Sequence, residues 1–383
     1  MTETSTSLQL GLGGIEIYGE SVGELNVAQK QCLNYIQRLG LDACAVVTRH
    51  SDDGRESIRF HASDVFARDW APHFDTTQLC EKLGLSTQSN PDDLEHEIVL
   101  TMLLGPVLFA FPSFGDMLSA VRIRRNIVQN ARKTALAFDT EHAERPADYW
   151  TYSEETGFVL LPGAPLILAL EKATQPDSSG QLYSFSCYRA TEYVMLLGIA
   201  QELAECNPSL FEQLQRQWET RAIMSGQFHE VFLREYGSMD EPLPPKYYVP
   251  GDRLWFRNPD EASSDVKGYE GSWVIYMGGG LFTNFWKRDQ PYTLITKSLE
   301  LFHWRNATYR DSDGGLQVDD DIVDERVRVS LQDPDEVRRI LDEMLRLRDP
   351  SGVYVDGGCI DTTRECARWV RPGTADLQLP DGN

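Results

Sequence analysis

A thiol is the strongest nucleophile in the chain, so the seven cysteines, Cys32, Cys44, Cys80, Cys187, Cys206, Cys359 and Cys366, are weighed first. They are odd in number and widely spread, with no C-x-x-C pair, which argues against a zinc knuckle or a thioredoxin-type motif and for reduced thiols. Thiol chemistry runs through the thiolate. A cysteine in the first turn of a helix is favoured there by free backbone N–H groups and the positive end of the dipole. Only Cys187 follows a loop, Tyr183-Ser184-Phe185-Ser186, and opens a long apolar helix. Its plain alternative is a small buried hydrophobe, the usual fate of a free cysteine.

The elements that must position this thiol are readable in outline. An amphipathic helix is expected over 27–39, strands over 43–48 and 57–60 around a Ser51-Asp52-Asp53-Gly54 turn, and helices over 77–83, 92–104 and 116–138. Short strands are expected within 150–161, a strongly apolar helix over 187–205, and one or two helices over 210–236. Strands are read at 254–257, 273–277 and 281–286, the last two joined through Gly278-Gly279-Gly280, and a helix at 293–302. An acidic loop is expected over 311–325, then a strand at 327–331 and a helix at 336–347. Residues up to about 20 read as a loose arm, and the last dozen as frayed.

Within this frame Tyr183-Ser184-Phe185-Ser186-Cys187 resembles the cysteine segment of the Bacillus spore-coat type of protein-glutamine gamma-glutamyltransferase. The segments Pro250-Gly251-Asp252-Arg253-Leu254-Trp255-Phe256-Arg257-Asn258-Pro259-Asp260 and Gly271-Ser272-Trp273-Val274-Ile275-Tyr276-Met277-Gly278-Gly279-Gly280-Leu281-Phe282 are similar to two further segments of that family, in the same order. Weaker agreement at Arg124-Arg125-Asn126-Ile127-Val128, Tyr149-Trp150 and Arg305-Asn306-Ala307-Thr308 extends it to roughly residues 115–310. The resemblance implies an α+β, papain-like cysteine-enzyme core. It also implies acyl transfer through a thioester: the thiolate attacks a glutamine carboxamide, ammonia leaves, and a lysine amine takes the acyl group without metal or nucleotide. Such covalent catalysis splits a hard exchange into two easier steps.

Thiol catalysis also needs a base. The family's acidic residues fall here on Ser186 and Ser272, and a family histidine on Phe285; these three are carried as substrate-binding positions. The expected catalytic set is Cys187, Glu270 and Asn284. Glu270 stands two residues before Ser272, on its side if the strand extends that far, and is otherwise a solvated turn residue. Asn284 would orient a base or donate to an oxyanion, or serve only a turn. Glu192 is five residues into the Cys187 helix, turned away by about 140°. His303 reads as a helix cap and His229 as a core-edge residue. Backbone N–H groups at the start of the Cys187 helix would form an oxyanion site regardless of side chains.

With 36 Lys plus Arg against 59 Asp plus Glu, the net charge is −23 over 383 residues, which disfavours nucleic acid and anionic membranes. The basic stretch Arg122, Arg124, Arg125, Arg132 and Lys133 is expected to pair internally, and Asp311-Ser312-Asp313-Gly314 to be a solvated turn rather than a calcium loop. No cationic segment precedes the first apolar stretch, and the most apolar run, 98–111, is broken by Gly105 and Pro106; a cytoplasmic protein is expected, with export lacking a cleaved signal still compatible. The domains read as an arm over 1–20, an N-terminal α+β extension over 21–112, a transglutaminase-like domain over 113–312, and an acidic loop, strand–helix and tail over 313–383. The expected function is a transglutaminase-like acyltransferase acting on protein or peptide glutamine and lysine, or on a small amine. Its alternatives are a noncatalytic scaffold that kept the fold, a deamidase-type modifier using water, an amide-forming enzyme on small molecules, and an N-terminal cap or adaptor carrying the function.

Overall fold

The computed structural model describes residues 13–19, 21–52, 55–138, 142–223, 225–349 and 357–380. The apolar run that opens at Cys187 becomes a twenty-residue helix, Cys187–Cys206, whose residues 190–200 are buried on every side. A helix without a polar face must be enclosed by other elements. The helix Phe114–Lys133 covers one flank so closely that a Cβ on Gly198 would stand 2.6 Å from Ile127 Cγ1 and 2.9 Å from its backbone nitrogen. Arg122 clamps the same two helices through a forked bond to Glu202 at 2.7–3.0 Å.

Two sheets flank this pair. The smaller runs Ala45–Asp52, Arg55–Ala62, Gly14–Gly19, Leu108–Phe111, with the last two strands parallel. The larger runs Tyr292–Thr293, Leu281–Phe282, Gly271–Gly278, Arg253–Arg257, Arg364–Ala367, Leu233–Tyr236. Its central register sets Trp255 opposite Trp273 and Phe256 opposite Ser272. The molecule is thus α+β, as the resemblance implies.

Two departures from the expected elements come from pairing over long sequence distances, and a third from local capping. Residues 14–19 are an interior strand rather than an arm, because both neighbouring strands bond to them; residues 1–12 lie outside the described residues. Leu233–Tyr236 is a strand, drawn out of the expected helical stretch by antiparallel pairing with Arg364–Ala367. The acidic loop resolves into a Thr308–Arg310/Leu316–Val318 hairpin and the helix Asp320–Ser330, which also absorbs the expected 327–331 strand. Asp319 caps that helix by accepting from Asp321 N and Ile322 N at 3.0 and 3.2 Å, so what reads as loop acidity is helix-start chemistry. Near the far end Leu377 is buried and Asp376 binds Arg234 and Arg368. The expected fraying is therefore absent over 372–380.

The basic stretch does pair internally. Arg124 is buried against Asp252 at 2.7 Å, Arg125 meets Glu95 at 2.6 Å, and Arg132 donates to the carbonyls of Thr87 and Met277. Asp311 accepts from Asp313 N and Gly315 N, closing its own turn.

Candidate active site

Ser186 stops the preceding extended chain and caps the Cys187 helix, its Oγ accepting from Arg189 N at 3.3 Å. Cys187 is therefore the first helical residue. Its side chain is partly exposed, at the floor of a cavity of about 490 Å³ that Ser272, Asn284, Tyr292, Lys297 and Glu300 also line. Burial raises the thiol's pKa above its ordinary value. Four groups pull the other way: the backbone N–H of Trp273, the ammonium of Lys297, the backbone N–H of Tyr188, and the guanidinium of Arg253. The thiol is thus held between a desolvating site and a ring of positive charge and donors.

Arg253 lies under this floor, fully enclosed, 4.3 Å from the Tyr188 ring centre and 4.2 Å from that of Trp273. Its Nη1 is 3.0 Å from Glu365 Oε2, so a buried cation and a buried anion compensate each other below the cysteine. Trp273 stacks in parallel on Trp255 with ring centres 5.7 Å apart, which anchors this part of the strand beside the Cys187 helix. Gly271 permits that stack: a Cβ there would stand 2.1 Å from Trp255 Nε1.

The opposite wall is the helix Leu294–Ala307. Thr293 and Thr296 cap it reciprocally, each hydroxyl accepting from the other's backbone N–H at 3.1 and 2.9 Å. From that start Lys297, Glu300 and Trp304 follow at helical spacing on the cavity side. The Lys297 side chain is only 3% exposed. Its ammonium is 2.6 Å from Glu300 Oε2 and 4.1 Å from the Tyr292 ring centre, and the Tyr292 hydroxyl donates to Glu300 Oε1 at 2.8 Å. Asp320, raised by burial, accepts from Tyr269 OH at 3.0 Å on the rim, where Asp324 pairs with Lys287.

Of the residues singled out in the sequence, Cys187, Ser272 and Asn284 meet at the cavity. Asn284 has both polar ends engaged within its own turn, accepting from Lys287 N at 3.1 Å and donating to Gln290 O at 3.0 Å. Glu270 does not reach the cavity. The strand begins only at Gly271, and the exposed Glu270 carboxylate folds back to accept from Gly268 N at 3.1–3.2 Å, so alternation along the strand does not extend to it. Phe285 is buried in the main core and does not line the cavity, although Asn284 and Trp286 on either side of it do. His303 is enclosed between Ser330 Oγ at 2.8 Å and Asn306 Nδ2 at 3.0 Å. Sequence reasoning passed over Lys297, Glu300 and Tyr292. Their signal was a lysine and a glutamate three apart on a helix with aromatic neighbours, which reads as ordinary surface. Among the described residues, one group of metal-ligating types gathers, His229, Glu235 and Glu365, with ligand atoms within 4.8 Å. Glu365 there is already held by Arg253 and by His229 Nδ1 at 2.7 Å. No described helix is long and apolar enough to cross a membrane.

A sequence model of the family described as protein-glutamine gamma-glutamyltransferase matches residues 74–379, wider than the stretch over which its motifs are legible by eye. Among solved structures, the transglutaminase from Geobacillus stearothermophilus without its C-terminal extension is similar at 20% sequence identity and a TM-score of 0.38, covering 57% of this chain and 98% of that one. A search of curated proteins finds no match.

Proposed function

Because the chain belongs to the protein-glutamine gamma-glutamyltransferase family, we propose that it is an acyltransferase in which Cys187 attacks a glutamine-type carboxamide and passes the acyl group to an amine. The observation that carries this is the placement of Cys187, the first residue of an enclosed helix, in the lining of a 490 Å³ cavity. The thiolate forms a thioester with loss of ammonia, and the incoming amine then displaces the sulfur. Backbone N–H groups at the helix start, with that of Trp273, are the donors for the developing oxyanion. Ser272, paired across the sheet with Phe256, is set to hold the carboxamide by its hydroxyl. The aromatic walls formed by Trp286, Tyr292 and Trp304 suit the alkyl chain of a lysine or small amine, and the rim acids Glu300, Asp320 and Asp324 suit its nitrogen.

The competing reading, a binding protein that kept the fold, draws on the serines at positions 186 and 272 and on the burial that favours the neutral thiol. One experiment separates the two. The protein is incubated with a glutamine peptide and a labelled primary amine, and ammonia release and label incorporation are followed. Both are expected in the native protein and lost in Cys187→Ala. A protein that releases no ammonia, and whose Cys187 resists iodoacetamide at every pH, is a scaffold.

A further inference from the structure

Every buried charge needs a reason, since a lysine removed from water is costly unless paired. Lys297 is enclosed in the wall of the cavity that Cys187 also lines, against an aromatic ring and 2.6 Å from a carboxylate oxygen. No carboxylate adjoins the thiol from the residue before it or from the facing strand, where Ser186 and Ser272 stand. We propose that Lys297, held by Glu300, is the proton-transferring residue of the acyl exchange and supplies the function that the two absent carboxylates leave open. This rests on the acyl-transfer reading above.

The chemistry balances with no further reactant. Cys187 gives its proton to solvent, leaving a thiolate opposite the Lys297 ammonium. The sulfur attacks the carboxamide carbon, forming the C–S bond and an oxyanion. As the C=O re-forms the C–N bond breaks, and Lys297 gives one proton to the departing nitrogen, which leaves as ammonia. The now neutral Lys297 takes a proton from the incoming amine as its nitrogen attacks the thioester. The C–S bond breaks, and thiolate and ammonium are restored. One group therefore acts as acid in the first half and base in the second, as microscopic economy of proton transfer favours.

The surroundings fit this duty. On its own helix Lys297 faces Glu300. The Asp320–Ser330 helix contributes Asp320, Asp324, occupied by Lys287, and Arg328, paired with Glu325. Arg253 has its charge met by Glu365, Lys287 pairs with Asp324 and Arg328 with Glu325, so among the cations lining the cavity Lys297 is the enclosed one. Tyr292 OH, donating to Glu300, fixes the carboxylate that orients the ammonium.

The test compares the native protein with Lys297→Arg, Lys297→Met and the charge-neutral Lys297→Met/Glu300→Gln. Two readouts are followed: the pH profile of Cys187 alkylation by iodoacetamide, resolved by peptide mass spectrometry, and ammonia release from a glutamine peptide. In the Met variants the alkylation profile is expected to move to higher pH, with roughly tenfold slower labelling at pH 7, the effect of about one pH unit on the thiolate fraction. Lys297→Arg keeps the charge but cannot shuttle a proton at neutral pH. It is expected to keep the native labelling profile while losing at least about a hundredfold in turnover, the usual scale of general acid–base catalysis. Native turnover in Lys297→Arg overturns the proposal even where the Met variants fail to fold. So does a native labelling profile in a folded Met variant. An inert Cys187 in the native protein overturns the acyl-transfer reading itself, which is a separate result.

Discussion

Little more than one turn into the Cys187–Cys206 helix, Glu192 is enclosed completely. One carboxylate oxygen is bonded to Arg189 while Oε1 has no hydrogen-bond partner. Burial pushes its pKa up to about 7, against the pull of Arg189 and Arg253. A carboxyl whose native value lies above its unfolded one binds more protons when folded. The stability it confers is therefore full below the unfolded value, near ~4.5, and is lost as pH rises through about 7. The native protein should lose up to about 3 kcal/mol between pH 5 and 8 from this group. Glu192→Gln should flatten that slope, as read by urea midpoints at each pH; equal slopes in both proteins would refute it. At this scale legibility was uneven. The helix-start position of Cys187 was legible because its signal is local, a polar loop followed by an apolar helix. Lys297 was not, because a lysine three residues before a glutamate acquires meaning only when a chain segment 110 residues earlier is packed opposite it. Glu270 failed for the converse reason: strand alternation was extended one residue past the strand's first position.

The packing of the Cys187–Cys206 helix against Phe114–Lys133 depends on closeness that a single methyl can undo. At Gly198 an added Cβ meets both the side chain and the backbone of Ile127, and backbone cannot swing aside. Gly198→Ala is expected to cost about 1–3 kcal/mol, the range for overpacking a tight interface. Gly226→Ala, in the Ser225–Phe232 helix with open space around it, should be neutral or gain up to about 1 kcal/mol. Denaturant titrations of the two variants decide this; a Gly198→Ala protein as stable as the native one would show that the helices slide apart freely. The helices 91–103 and 187–206 were legible to within one residue, and 22–38 and 114–133 to within five at one end. The Asp320–Ser330 helix was not, since its capping acids looked like a charged loop and its apolar residues like a short strand.

Across the whole molecule, Arg124 ties three distant parts together. From the Phe114–Lys133 helix its Nη1 reaches Asp252 and the carbonyl of Pro250, while the same aspartate accepts from Val249 N at 2.7 Å and from the Tyr236 hydroxyl. Removing one partner of a buried, hydrogen-bonded pair strands the other charge. Arg124→Met should therefore destabilise by about 3–5 kcal/mol, with the companion Asp252→Asn recovering part of it. Thermal unfolding of the single and double variants measures the coupling, and strict additivity would dissolve the knot. The sequence pattern foretold that these arginines pair inward but not with whom, because the partners are set by tertiary closure.

The strand Arg364–Ala367 lies between Arg253–Arg257 and Leu233–Tyr236, and Glu365 on it neutralises the arginine beneath Cys187. During synthesis the chain's first 360 residues can gather their helices, but the larger sheet stays divided and Arg253 stays uncompensated until residues 364–367 clear the ribosome. Non-local strand insertion of this kind is slow. The pocket around Cys187 is thus completed by a strand from far along the chain, and a nascent chain short of residues 364–367 carries Arg253 without its carboxylate partner.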